Sequence, residues 1–369
     1  MAEQELDVKE IFCMLEDVMR GEALPERDAC LLMRSEHVHA LGMASDMLRQ
    51  KQCGDEVGFV INRQINYTNI CTARCAFCAF HATPGSDRGY LLSLEEVLEK
   101  AAEAVRRGAT ELHIVGGHNP EVPFEYYEEM LRMLRERFPE VHLKAFTATE
   151  IAFFSKNFRM SVREVLERLR EAGLQSLPGG GAEILDDSLR SELCPGKAGA
   201  REWLEVMRTA HSMGILSTAT MLFGHVETPE QRVRHMAKLR ELQAETGGFL
   251  AFIPLLYQPE NNPLARRYGL EGATPQDVLR TISVARLMLG ASFRNIRAYW
   301  VMLGRKLAQV ALHYGANDLD GTVIEEKVAS SAGAGAASGI DVEELVHLIK
   351  DAGRVPVQRT TDYRVVRRF

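Results

Sequence analysis

Apolar positions recur along this chain in two patterns. Residues 1–57 carry them at helical spacing, as in VKEIFCMLEDVM and ALGMASDMLRQ, which predicts a helical N-terminal extension. From residue 58 onward, short β-branched or apolar runs alternate with amphipathic stretches about eight times, which predicts strands alternating with helices. The predicted strands cover 59–68, 109–117, 141–148, 174–183, 215–227, 247–257, 293–303 and 314–321.

Helix-start signals separate these strands. Ser93 and Ser161 each lie three residues before a glutamate, which is the spacing of a capping box. Thr228 and Thr274 each precede a proline at the first helical position. Strands alternating with helices form parallel β/α units, and eight such units occupy roughly 250 residues in a closed barrel. We therefore predict an α/β fold with a TIM-type (β/α)8 barrel over 58–326, the alternative being an open doubly wound sheet.

The chain continues past the predicted barrel. We predict that residues 327–369 form a flexible segment and a helix that packs on the barrel. The low-complexity run SSAGAGAASG (330–339) is typical of a flexible connection, and a lid over a substrate is the alternative. Asp341 opens the final predicted helix.

Composition narrows the class of protein. Of 369 residues 46% are hydrophobic and 26% charged, and the net charge is −7, which is typical of a globular protein. The acidic balance argues against nucleic-acid or anionic-membrane partners. No apolar run reaches the roughly 18 residues of a membrane span. The acidic first ten residues lack the apolar core of a signal peptide, so we expect a cytoplasmic protein.

Three of the seven cysteines are clustered just after the first predicted strand. Cys71, Cys75 and Cys78 form a C-x3-C-x2-C run, and thiolates are ligands for iron–sulfur clusters and zinc. Three thiolates can hold three irons of a 4Fe–4S cluster and leave the fourth iron open to a small molecule, whereas electron-transfer clusters usually have four cysteines. The alternative is a structural zinc site completed by His81. Zinc ligands usually come as two separated pairs, which favours the cluster.

This motif resembles that of the radical S-adenosylmethionine (SAM) superfamily. The resemblance implies a 4Fe–4S cluster whose open iron binds SAM, and reductive cleavage of SAM to methionine and a 5′-deoxyadenosyl radical. It also implies that Phe77 lies near the adenine and the cluster, and that Gly116 and Gly117 lie near the SAM amino group. An electron donor such as flavodoxin or ferredoxin is implied as a partner.

Further candidates follow the predicted strands, at the barrel end where active sites form. Glu150, after the third strand, is a candidate SAM ligand, the alternative being a solvated first-turn glutamate. Gly224, after the fifth strand, is a further candidate cofactor contact. Asp318 and Asp320 end the eighth strand, where they are either site residues or turn-formers.

The resemblance extends over residues 58–326. The segments INRQINYTNICTARCAFCAF, PFEYYEEML, PGGGAEI, GHVET, ETGGF and GANDLDGT look like the branch containing the futalosine-pathway enzymes of menaquinone synthesis and the enzymes that build the deazaflavin of coenzyme F420. Within it, KAFTATEI, FIPLLYQP, AYWVMLG and NDLDGT are most similar to the futalosine-pathway synthase. Gln64 departs from the histidine common among relatives. The sister cyclase has a Ser-Pro-Pro type sequence where this chain has Thr147, Ala148 and Thr149.

The synthase resemblance implies a substrate and a reaction. The adenosyl radical would add to the vinyl carbon of 3-[(1-carboxyvinyl)oxy]benzoate, and loss of a carboxyl group would give aminodeoxyfutalosine. A substrate with two carboxylates requires cations or N–H donors in a dry pocket. The candidate substrate contacts are Arg63, His118, Lys144, His225 and Arg297. Alternatives are hydrogen abstraction by the cyclase, deazaflavin-precursor synthesis, or, in another class, a zinc-stabilised ligand-binding barrel.

Overall fold

The computed structural model describes residues 6–335 and 339–369. Of the predicted flexible connection at 330–339, residues 330–335 and 339 are described, whereas residues 336–338 lie outside the described part. The strands are β1 (Glu56–Val60), β2 (Asn62–Ile65), β3 (Glu111–Ile114), β4 (His142–Ala145), β5 (Ser176–Leu177), β6 (Leu216–Phe223), β7 (Phe249–Leu256), β8 (Asp318–Gly321), β9 (Val355–Arg359) and β10 (Val365–Arg368).

Helices follow most of these strands. They are α1 (Val8–Met19), α2 (Glu26–Arg34), α3 (Val38–Cys53), α4 (Leu94–Arg106), α5 (Phe124–Arg137), α6 (Ala148–Phe158), α7 (Val162–Ala172), α8 (Asp187–Leu193), α9 (Ala200–Ser212), α10 (Pro229–Thr246), α11 (Pro263–Tyr268), α12 (Pro275–Leu289), α13 (Trp300–Leu303), α14 (Arg305–Ala311), α15 (Val328–Ser331) and α16 (Val342–Asp351). The capping boxes predicted at Ser93 and Ser161 are present at the starts of α4 and α7.

Eight strand positions close into a barrel. Strands β2 to β7 form a parallel sheet in sequence order. A single bridge then joins Phe252 of β7 to Ile296, and another joins Arg297 to Asp318 of β8. Strand β8 pairs in parallel with β1, and a single residue, Ile61, separates β1 from β2. The predicted (β/α)8 barrel is confirmed, and this closure excludes an open doubly wound sheet.

The seventh strand is much shorter than predicted. Of residues 293–303 only Ile296 and Arg297 bridge to neighbouring strands, and Trp300–Leu303 form helix α13. A short apolar run can form either a buried strand or a buried helix. Trp300 and Leu303 are both buried in this helix. The apolar side chains are therefore removed from water without a longer strand.

The N-terminal helices cover the outside of the barrel. Helices α1 to α3 confirm the helical character of this segment. Helix α3 packs against α12, and α2 packs against α10 and α12. The division into segments 1–57, 58–326 and 327–369 stays a prediction.

A C-terminal hairpin was not predicted. The final helix α16 begins after Asp341 as expected, but β9 and β10 follow it as an antiparallel pair. Strand β9 pairs in parallel with β1, starting from Glu56 opposite Val355. The hairpin therefore adds to the barrel at the end where strands begin, opposite the end where the active site is expected.

Candidate active site

One cavity of about 300 Å³ runs from the carboxyl ends of the strands into the barrel interior. All three clustered thiols, Cys71, Cys75 and Cys78, line it. Such a site, at the carboxyl ends of the barrel strands, is where enzymes of this fold carry out chemistry.

Backbone hydrogen bonds from three parts of the chain hold the cysteine loop. The amides of Cys71, Thr72 and Ala76 donate to the carbonyls of Ala82, His118 and Leu193, respectively. Arg74, between the first two cysteines, has φ of 50°, a left-handed conformation that turns the loop back. The loop shape is therefore set by the surrounding protein, which brings the three thiols to one cavity.

The donor set fits a cubane cluster better than a single metal ion. Within residues 6–335 and 339–369, no three His, Cys, Asp or Glu side chains are close enough to share one ion. Cluster ligands stand farther apart, because each thiolate binds a different iron. The His118 amide also donates to Cys71 Sγ at 3.3 Å, as expected for a thiolate ligand. His81 Nδ1 lies 2.7 Å from the Cys78 carbonyl oxygen.

The paired glycines pack against the cysteine loop itself. A Cβ on Gly117 would lie 2.2 Å from the Ile70 carbonyl oxygen, and one on Gly116 would lie 2.5 Å from the Tyr67 ring. Both glycines line the cavity. Their lack of a side chain lets the segment after β3 approach the loop that precedes Cys71.

Glu150 is buried, at 2% exposure, so the solvated alternative is wrong. Its carboxylate accepts hydrogen bonds from Tyr67 Oη at 2.8 Å, the Gly116 amide at 3.0 Å, and the Thr147 amide and hydroxyl at 2.8 and 2.7 Å. Burial raises the pKa of Glu150. The residue joins the start of α6, Tyr67 after β2 and the glycine pair; its contact with SAM stays a prediction.

The sequence analysis did not predict a site role for Lys197, a largely buried lysine beside the cysteines. Lys197 lines the cavity, donates to Glu183 at 2.6 Å and lies 5.5 Å from the centroid of the Phe77 ring. Burial opposes its charge, but the neighbouring Cys75 and Glu183 raise the pKa of Lys197 well above its usual value. It comes from the loop after α8, where CPGKAGA carries no recognisable motif.

His118 lines the cavity as a neutral ring. Its Nε2 lies 3.2 Å from Thr149 Oγ1, and the ring stacks on Phe153 with centroids 4.8 Å apart. Burial lowers the pKa of His118 to about 3. It can therefore accept or donate one hydrogen bond but does not act as a cation near neutral pH.

Charged side chains meet at the deep end of the cavity, which we call the floor: Glu111, Lys144, Arg297 and Asp320. Lys144 Nζ donates to Glu111 at 2.6 Å, and Arg297 donates through Nη1 to Asp320. Lys144, Arg297 and Asp320 line the cavity. Although burial opposes the charges, Lys144 and Arg297 hold the pKa values of Glu111 and Asp320 below their usual range.

Three predicted contacts lie outside the cavity lining. The Arg63 guanidinium instead binds Glu103 at 2.6 Å and also Glu325, on the outer side of the barrel. Since side chains alternate along a strand, Gln64 faces the cavity and Arg63 cannot; the substrate contact predicted for Arg63 is wrong.

Gly224 and His225 lie behind the cavity wall. Their amides donate to Glu227 at 2.6 and 2.9 Å, and His225 Nε2 lies 3.0 Å from the Leu222 carbonyl oxygen. The His225 side chain is fully buried, and burial lowers its pKa. These two residues shape the turn after β6 and do not line the cavity; the direct contacts predicted for them stay predictions.

The barrel and its cysteine-lined cavity define the class of the protein. Residues 65–239 match the family model of the radical SAM superfamily, and residues 246–368 match that of the CofH/MqnC C-terminal region. The chain belongs to the radical SAM superfamily, whose cofactors are a 4Fe–4S cluster and SAM. Enzymes of this superfamily act on small molecules and require a reductant.

Individual relatives share nearly the whole chain. Aminodeoxyfutalosine synthase of Thermus thermophilus is 44% identical over 95% of this chain and 95% of its own. The 5-amino-6-(D-ribitylamino)uracil–L-tyrosine 4-hydroxyphenyl transferase of Methanothermobacter thermautotrophicus is 42% identical over 94% and 95%. Among solved structures, methylornithine synthase has a TM-score of 0.73 at 20% identity, covering 93% of this chain and 97% of its own. That likeness concerns the fold alone.

Among the described residues, no helix is both long and apolar enough to cross a bilayer.

Proposed function

We propose that this protein is an aminodeoxyfutalosine synthase, which joins the adenosyl group of SAM to 3-[(1-carboxyvinyl)oxy]benzoate in menaquinone synthesis. The observation that carries the proposal is the pair of cations in the floor, each of which also binds a buried carboxylate. Lys144 and Arg297 line the deep end of the cavity, at 2% and 1% exposure. A buried carboxylate requires such charge-assisted donors, and the substrate has two carboxylates.

With cluster and SAM bound, reductive cleavage of SAM supplies a 5′-deoxyadenosyl radical that adds to the vinyl carbon of the substrate. Cys71, Cys75 and Cys78 are the cluster ligands in this proposal. Lys197 offers its ammonium to an anionic group on the cluster side of the cavity, which suits the SAM carboxylate. The two cationic regions would thus hold the co-substrates at opposite ends, with their reacting carbons between them.

The largely apolar middle of the cavity serves the reaction by excluding water. Ile253, Leu255 and Val115 line it, so a radical formed there is shielded from solvent. The product keeps the adenosyl and benzoate groups and loses one carboxyl group as carbon dioxide or bicarbonate, while methionine is released.

A second candidate is the 4-hydroxyphenyl transferase reaction between L-tyrosine and 5-amino-6-(D-ribitylamino)uracil. Relatives with that name are 41–45% identical to this chain, the same range as the synthase. The floor also places a carboxylate, Asp320, on the cavity lining, which suits an ammonium group. The sister cyclase reaction on dehypoxanthine futalosine is a further outcome of the same test.

An anaerobic product assay separates these reactions. The protein, reconstituted with iron and sulfide, is incubated with SAM, dithionite and each substrate set in turn, and products are identified by mass spectrometry. We expect a product carrying both adenosyl and benzoate groups, absent with Cys75→Ala. A tyrosine-derived adduct or a cyclised futalosine would instead assign the sister reaction. Zinc in place of iron, with SAM untouched, would favour the ligand-binding barrel.

The oxygen-sensitive cluster also suggests where the protein works. We infer a reducing cytoplasm, with flavodoxin or ferredoxin as the electron donor. Replacing dithionite with each reduced donor in the same assay tests the partner.

A further inference from the structure

The turn of the C-terminal hairpin reaches the floor of the cavity from the opposite end of the barrel. Thr361 Oγ1 donates to Glu111 Oε2 at 2.9 Å, and Tyr363 Oη accepts from Arg297 Nε at 3.0 Å. Arg359, at the end of β9, binds Asp318 through Nη2 at 2.9 Å. The turn is therefore joined to the barrel by buried polar contacts at several strands.

One guanidinium nitrogen of Arg297 has no hydrogen-bond partner among the described residues. Nε is used by Tyr363 and Nη1 by Asp320, whereas Nη2 is buried and has no hydrogen-bond partner in the described part of the chain. A buried donor without a partner costs free energy, and Arg297 lines the cavity. An acceptor from a ligand would satisfy this donor.

The Lys144 ammonium is held in a similar way. Glu111 accepts from Lys144 at 2.6 Å, from Asn62 Nδ2 at 3.1 Å and from Thr361 at 2.9 Å. An ammonium has three donors, and Glu111 is its single hydrogen-bond partner among the described residues. Thr361 thus anchors the carboxylate that orients Lys144, and Lys144 keeps donors for a ligand.

We propose that Arg297 Nη2 and Lys144 Nζ together form a carboxylate subsite, and that Tyr363 and Thr361 are positioning residues that hold these two cations. The ligand class is an aryl or amino-acid carboxylate that enters with its charged end toward the floor. This inference rests on the proposed function for the choice of benzoate, but the subsite serves any carboxylate substrate of this cavity. The hairpin is then a functional part of the barrel, although it is remote from the cysteines.

Tyr363 also carries a conformational cost that fits this role. It has φ of 65°, which is unfavourable for a residue with a side chain. Its ring lies 5.6 Å from the Arg297 guanidinium carbon and 4.1 Å from that of Arg359. Tyr363→Phe keeps the ring and both of these contacts and removes only the hydroxyl that accepts from Arg297.

The test compares matched variants of the reconstituted full chain. Tyr363→Phe and Thr361→Val remove the two hydroxyls, while Thr361→Ser retains one. Arg368→Ala, on the same hairpin, removes a surface contact to Glu56 and serves as the control. Calorimetry without reductant gives the Kd for 3-[(1-carboxyvinyl)oxy]benzoate and for L-tyrosine, and turnover gives KM and kcat separately.

We expect Tyr363→Phe and Thr361→Val to raise the substrate Kd and KM about tenfold, equivalent to about 1.4 kcal/mol. Iron content, SAM cleavage and kcat at saturation should stay near wild type, and Thr361→Ser and Arg368→Ala should bind normally. Wild-type affinity in both hydroxyl-deleted variants would overturn the inference. So would a loss of kcat, iron and thermal stability with KM unchanged, which marks a merely structural hairpin.

The experiment distinguishes failure of the proposed synthase function from failure of the proposed carboxylate subsite. If the wild type binds L-tyrosine and not the benzoate, the proposed function is wrong, and the inference stands only if the same variants weaken tyrosine binding. If the wild type binds neither carboxylate, both are overturned.

Discussion

Gly117→Ala should damage the cluster site by displacing the loop that precedes its first ligand. An added Cβ would lie 2.2 Å from the Ile70 carbonyl oxygen, 2.8 Å from the Ile70 carbonyl carbon and 2.9 Å from Cys71 Cβ. Since non-bonded carbon atoms prefer about 3.5–4.0 Å, the loop and the glycine strand must separate by about 1 Å. The obstacle is backbone, which cannot rotate away as a side chain can.

The displacement should appear in both stability and metal loading. Overpacking of this kind costs about 1–3 kcal/mol, and the Gly117 amide would also strain its 3.0 Å hydrogen bond to Thr68. We expect Gly117→Ala to bind fewer irons per chain after anaerobic reconstitution and to unfold at a lower temperature. Iron and sulfide are assayed chemically, and unfolding is followed by circular dichroism.

The control is a glycine without neighbours. A Cβ on Gly335, which is exposed, would meet no atom of the described chain within 4 Å, so Gly335→Ala should load iron and unfold like wild type. If Gly117→Ala also loads a full cluster at wild-type stability, the close approach of strand and loop does not constrain the site, and the steric argument is refuted.

Three further variants test the charged groups. Lys144→Met should destabilise the chain by about 3 kcal/mol, because it leaves the buried Glu111 charge unpaired, and adding Glu111→Gln should recover part of this loss in denaturant titrations. Lys197→Met should raise the Kd for SAM about tenfold while iron loading persists. Glu325→Gln should flatten the acid dependence of stability: although burial opposes its charge, Arg63 lowers the pKa of Glu325 to about 2 from 4.5, so this stabilisation is present above about pH 4.5 and is lost as the pH falls toward 2.

Lys144→Met has a matched control variant, and each prediction has an outcome that would contradict it. Lys156 forms an exposed ion pair with Glu202, and exposed ion pairs contribute only about 0–1 kcal/mol to stability. Lys156→Met should therefore leave the free energy of unfolding nearly unchanged. Equal effects of Lys144→Met and Lys156→Met would contradict the buried-pair argument. Unchanged SAM affinity in Lys197→Met would remove that lysine from the SAM site. An acid profile of Glu325→Gln identical to that of wild type would show that the Arg63 contact does not tune Glu325.

Much of the architecture was predictable because its signals are local. Capping boxes at Ser93 and Ser161, and prolines after Thr228 and Thr274, act within one helical turn. The alternation of strands and helices is likewise a short-range pattern, and eight repeats predict closure. The cluster site was equally predictable, since three cysteines within eight residues are typical of a metal or iron–sulfur site.

Orientation of single side chains was not predictable in the same way. The prediction for Arg63 failed because a shift of one residue along a strand turns a side chain from the barrel interior to the exterior. His225 lies near a strand end as expected, yet the turn after β6 directs it toward Glu227. Sequence alone does not set such a register, because it depends on how neighbouring strands pair.

The sequence by itself determined the succession of strands and helices and the cysteine loop, since each depends on residues close in the chain. Only the tertiary structure decided that Lys197 lies beside the cysteines, that Lys144 and Arg297 both line the cavity, and that a hairpin near the C-terminus contacts Glu111 and Arg297. These groups are separated by tens to hundreds of residues. Their proximity depends on barrel closure and packing, which no local periodicity records.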